Sequence, residues 1–147
     1  MRARKPTGAI RPPWRAAALA AVLTGAAPAA LACGEALGAG TRPLAGEGWQ
    51  IAWRAAPTPI PVGKHFALDI ALCPPAGLAL PDTLRVDAMM PEHRHGMNYR
   101  PGVSARGPGQ FRAEGLMFHM PGRWELVFEW RDAAGATRRL AQSLTVG

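Results

Sequence analysis

From His65 to Leu72 the chain alternates: Phe66, Leu68, Ile70 and Leu72 are set against His65, Ala67, Asp69 and Ala71, until Pro74-Pro75 stops the run. A period of two puts the large apolar side chains on one face of a strand, whereas a helix would scatter them around its circumference. The pattern recurs at Trp49, Ile51 and Trp53, at Leu84, Val86 and Ala88, at Trp124, Leu126, Phe128 and Trp130, and at Leu140, Gln142, Leu144 and Val146. Gln110 to Ala113 and Leu116 to Met120 read as two short extended pieces around Glu114-Gly115. Breakers at Pro57-Thr58-Pro59-Ile60-Pro61 and Asp132-Ala133-Ala134-Gly135 separate these runs, and none has helical periodicity. The expectation is an all-β fold, an immunoglobulin-like antiparallel β-sandwich of about seven strands, with the tryptophans in its core. Residues 33–46, rich in Gly and Ala, read as an irregular lead-in, and residues 47–147 as the sandwich domain.

Charge sorts the remaining classes. The 147 residues carry 17 Lys and Arg against 10 Asp and Glu, a formal +7. Arg2, Arg4, Lys5, Arg11 and Arg15 all precede the apolar run Ala16–Ala30, which ends in the small-residue site Ala30-Leu31-Ala32. That arrangement is a cleavable signal peptide over residues 1–32. Its removal leaves twelve basic and ten acidic side chains, so no basic stripe remains for nucleic acid. No other stretch approaches the roughly 18 apolar residues of a membrane span. The product is expected to be a single periplasmic or secreted domain. Two cysteines in an oxidising compartment usually pair, which predicts a Cys33–Cys73 disulfide. The alternative is a lipid on Cys33 and a buried thiol at Cys73; the Leu of the Ala-Leu-Ala triplet sits one position late for that.

One window concentrates chemistry. All five methionines beyond the signal, Met89, Met90, Met97, Met117 and Met120, and three of the four histidines, His93, His95 and His119, fall within residues 89–120. Thioethers are soft ligands that favour Cu(I), and imidazole joins them readily, so a mixed Met/His set selects copper. The expected ligands are His93, His95 and Met97 from one loop, with Gly96 letting the chain fold back, and His119 or Met120 from a second segment. Neighbours on a strand face opposite ways, which favours His119 if Phe118 is core. Met90 is expected in the core and His65 on a solvated face. A blue copper centre lacks its thiolate, a histidine brace lacks its N-terminal His, and no Gly-x-Ser-x-Gly or supported acid pair is present, so a non-enzymatic role is expected. The competing reading is a metal-free structural or partner-binding module whose loop caps the sandwich.

The early Cys-Gly, the strand end Leu72-Cys73-Pro74, the segment from Met90 to Met97 and the run from Gly115 to Leu126, with its Met120-Pro121-Gly122-Arg123-Trp124, resemble the YtkA-like family of small exported bacterial domains, itself similar to FixH-like proteins. The likeness covers roughly residues 47–147 and is strongest over 84–130. It implies an immunoglobulin-like sandwich with these motifs at one end, and a link to copper handling or to assembly of an exported metalloprotein. The FixH-like membrane anchor has no counterpart in this reading.

Overall fold

The computed structural model describes residues 32–147; the expected signal segment lies, apart from Ala32, outside the described residues. A 3-10 turn, Glu35–Leu37, leads into nine strands: β1 Arg42–Gly46, β2 Trp49–Ala56, β3 His65–Cys73, β4 Arg85–Met90, β5 His95–Gly96, β6 Gly102–Gly107, β7 Gln110–Met117, β8 Gly122–Arg131 and β9 Thr137–Val146. They form two antiparallel sheets, one ordered β1-β2-β3-β7-β6 and the other β5-β4-β8-β9. The chain is therefore a β-sandwich, as the alternation requires. No helix among the described residues is long and apolar enough to cross a membrane.

The inward faces hold the side chains that the period of two selects. Trp49, Ile51 and Trp53 of β2, Phe66, Leu68, Ile70 and Leu72 of β3, Val86, Ala88 and Met90 of β4, and Trp124, Leu126, Phe128 and Trp130 of β8 are all buried in one cluster. Burying each large one contributes about 1.5–3 kcal/mol. Trp49 meets Trp130 edge-on at 5.2 Å across the sheets. Trp53 adds a polar link between layers, its indole N–H donating to Gln142 Oε1 at 2.8 Å.

The described residues hold nine strands where about seven were expected, because edge strands carry weak patterns. The supposedly irregular lead-in contains β1, which pairs with β2 from Arg42↔Trp53 to Gly46↔Trp49. Pro43 is tolerated there because an edge strand need not donate on both sides. β6, Gly-Val-Ser-Ala-Arg-Gly, is mostly exposed and so has no apolar stripe to betray it. The two extended pieces around Glu114-Gly115 are instead one strand, β7, broken only by a bulge: Leu68 pairs with Ala113 but Phe66 with Leu116. Gly115, at φ 83°, takes the left-handed conformation this needs. The bulge also switches parity, so Phe111 and Ala113 face inward before it, and Leu116 after it.

Cys33 and Cys73 are joined by a disulfide. A sulfur so engaged cannot also carry a lipid. The bridge lays the first described residues over the outer face of β2, where Gly34 approaches Ala52 so closely that any Cβ would collide with it. Farther along that sheet, Asp69 accepts from Arg54 at 3.1 Å and from Arg112 at 2.6 Å, its two cross-strand neighbours. Partial burial pushes the Asp69 carboxyl up, but hydrogen bonds from Arg112 and Arg54, with their charges, outweigh it and hold the group below the ordinary 3.8.

Two outcomes follow. Replacing both cysteines by Ala removes the closure of a loop of sequence separation 40, and guanidinium unfolding of residues 33–147 should show a loss of up to about 4 kcal/mol. Because Asp69 is depressed in the folded state, its contribution is complete above pH 3.8 and disappears as pH falls through the lower folded value. Asp69→Asn should cost about 1 kcal/mol at pH 7 and flatten the acid limb of stability against pH; an unchanged limb would show that the triad is not coupled to folding.

Candidate functional site

The His/Met window is assembled at one end of the sandwich by a hairpin and a crossover. In the hairpin, Met89 pairs with Gly96 and Met90 with His95, leaving residues 91–94 as the loop. The Met90 carbonyl accepts from both His93 N–H, at 3.2 Å, and Arg94 N–H, at 2.9 Å. Arg94 closes the turn at φ 55°, a left-handed position unusual for a residue with a Cβ. The backbone reversal is thus at Arg94 and not at Gly96, as the sequence suggested. Gly96 serves a close approach instead: a Cβ there would lie 3.1 Å from the Ala88 carbonyl, which accepts from Met97 N–H at 3.2 Å.

In the crossover, β7 ends at Met117, and residues 118–121 pass to the second sheet before β8 begins. Phe118 is fully buried and stacks on Trp124 at 4.7 Å and 18°. Trp124 donates its indole N–H to the Met120 carbonyl at 3.1 Å, fixing the turn. Strand parity no longer governs these residues, and the two candidates separate by packing. Met120 lies partly buried against the core, while the His119 ring meets Trp124 edge-on at 5.3 Å.

Three imidazoles therefore stand in a row, His93 to His95 at 5.7 Å and His95 to His119 at 5.1 Å between ring centres. Two imidazoles sharing one ion, with each nitrogen about 2 Å from it, have ring centres roughly 5–6.5 Å apart. Both pairs fall in that interval. His95 Nδ1 lies 3.2 Å from the Gly96 carbonyl; with the ring proton on Nδ1, Nδ1–H donates to that carbonyl and the Nε2 lone pair is left for a metal ion. His119 Nδ1 is buried with no hydrogen-bond partner, an unmet polar atom of the kind that a ligand, ion or water satisfies. Among the described residues no group of three or more His, Cys, Asp or Glu side chains is already gathered around one point. Methionine sulfur lies outside that count, and Met97 packs, partly buried, against the core at the same end.

The remaining members of the window divide. Met90 is fully buried, with its methyl group beneath Gly122, and Met89 is exposed. Met117 pairs in register with His65, which is exposed and meets Tyr99 edge-on at 5.0 Å. An exposed ion pair, Arg123 Nε to Glu92 Oε1 at 3.1 Å, ties the hairpin loop to β8. Sequence reasoning missed Trp124, which touches both His95 and His119; its only signal was the aromatic closing the Met-Pro-Gly-Arg-Trp run.

No protein-family model matches the chain, and no curated protein matches it. Among solved structures it is similar to the crystal structure of a DUF4426 family protein from Pseudomonas aeruginosa PAO1, with a TM-score of 0.50 and 4% identity, over 73% of this chain and 94% of that one. At that identity the likeness speaks for the fold alone, and it agrees with the sandwich described above.

Trp124→Phe keeps an aromatic ring on Phe118 but removes the donor and part of the buried volume. Denaturant unfolding should show a loss of about 2–3 kcal/mol, with amide shift changes centred on residues 119, 120 and 122 and on His95. Unchanged amide shifts at residues 119, 120 and 122 would mean that this hydrogen bond does not hold the crossover.

Proposed function

We propose that the domain is an exported copper-binding protein that captures Cu(I) and passes it to a metalloprotein acceptor, and that it belongs with the YtkA-like, FixH-related domains. His95 against His119 at 5.1 Å, with His119 Nδ1 buried and unpartnered, is the observation that carries this reading. Met97 and Met120 packed at the same end supply the soft donors that favour Cu(I) over zinc, and His93 at the exposed hairpin tip is the ligand best placed to reach an arriving ion. Cu(I) accepts low coordination numbers, so a pair of imidazoles with one thioether is a sufficient set. The role is binding and transfer, with no catalytic step. The basic n-region and apolar run preceding Ala32, together with the disulfide, support a periplasmic or secreted setting.

A second reading, a metal-free module that docks a partner, draws on Met89 and Tyr99, both large, exposed and near the hairpin. A Cu(I) competition titration of residues 33–147 separates the two. The copper reading expects saturable one-to-one binding, weakened more than about a hundredfold when His93, His95 and Met97 are replaced together by Ala, beyond the 10–100-fold typical of losing a supporting group. Affinity should also fall on acidification, since protons compete for imidazole nitrogen. His119→Ala should cost more than Met120→Leu. Absence of stoichiometric binding would leave the metal-free module standing.

A further inference from the structure

The segments bordering the imidazoles carry three positive charges without carboxylate partners among the described residues. Arg54, Arg85, Arg112, Arg123, Arg138 and Arg139 each face a carboxylate within 3.7 Å. Six others face none among the described residues: Arg42, which lies over the Trp53 ring, Arg106 and Arg131 on other parts of the strands, and Lys64, Arg94 and Arg100, all exposed, on the segments that border the imidazoles. Arg94 sits in the hairpin loop between His93 and His95. The backbone segments that carry Lys64 and Arg100 run close to each other, since the ring of His65 meets that of Tyr99 at 5.0 Å. The same segment is tied to the crossover: Gly63 N–H donates to the Phe118 carbonyl at 2.8 Å, next to His119, and His65 pairs with Met117. The acid of this hairpin loop, Glu92, is already engaged by Arg123.

A cationic collar steers the approach of an acidic protein surface, so that copper held by the imidazoles can pass by ligand exchange inside a complex. Three cations fall short of the four to eight clustered basic residues of a typical lipid-headgroup site, and a domain with twelve basic and ten acidic residues beyond Ala32 has no stripe for nucleic acid. We propose that Lys64, Arg94 and Arg100 form a docking collar for an acidic protein surface, that of the donor or acceptor which exchanges copper with the imidazoles. The purpose of this docking rests on the copper reading; the docking itself is testable without metal.

The test is an NMR titration of the metal-free domain with poly-L-glutamate, repeated with vesicles of phosphatidylcholine and phosphatidylglycerol. Amide shifts should concentrate on residues 63–65, 93–100 and 117–121, and should vanish at high salt as charges are screened. The triple variant Lys64→Ser, Arg94→Asn, Arg100→Ser should weaken the interaction about tenfold, Asn being chosen because it tolerates the left-handed position. Arg106→Ser with Arg131→Ser should leave it within about twofold. Shifts spread over the whole surface, an unaffected triple variant, or binding to the vesicles without binding to poly-L-glutamate would overturn the proposal. Salt dependence of the parent alone decides the matter if the triple variant does not fold. Loss of copper binding with the collar intact would instead count against the copper reading.

Discussion

Phe118 stacked on Trp124 is the contact on which the candidate site depends. These two rings, at 4.7 Å and fully buried, belong to the two ends of the crossover between sheets. Once both are in the core, the few residues between them have little freedom. The Trp124 N–H takes the Met120 carbonyl, and His119 is left against the indole edge, within reach of the β4–β5 hairpin. Core packing and the placement of soft donors are thus one event, and damage to either ring would be felt by both fold and site.

The strands that bury a whole face were legible. β3 and β8 announce themselves through four large apolar residues each at a spacing of two, and solvent enforces that spacing because a one-residue slip would expose the entire set. β1, β5 and β6 were not legible, since an edge strand is selected by its backbone partners and not by its own side chains. The bulge at Gly115 was hidden for a related reason. A single left-handed glycine within an apolar run looks like an interruption until the partner strand shows two residues opposed by one.

For the candidate site, the residue types were legible and their arrangement was not. His-x-His placed two imidazoles near each other, but the third comes from a segment more than twenty residues away whose position is set by the crossover. Gly96 drew attention as the flexible residue, yet the left-handed position fell to Arg94, where two N–H groups converge on the Met90 carbonyl. The disulfide was legible because compartment and cysteine count together left one pairing. What the bridge covers, Ala52 beneath Gly34, required the fold.

The tryptophans divide along the length of β8. Trp130 pairs with Trp49 at one end, and Trp124 lies among the imidazoles at the other. Six residues of strand separate them, about 20 Å at roughly 3.3 Å per residue. Any quencher seated between His95 and His119 reaches the Trp124 indole by contact, while Trp49 and Trp130 lie at the far end and Trp53, bonded to Gln142 opposite Leu126, lies between. The domain therefore carries its own optical label at one pole and an internal reference at the other, so that intrinsic emission can distinguish an event at the histidines from a change in the sandwich as a whole.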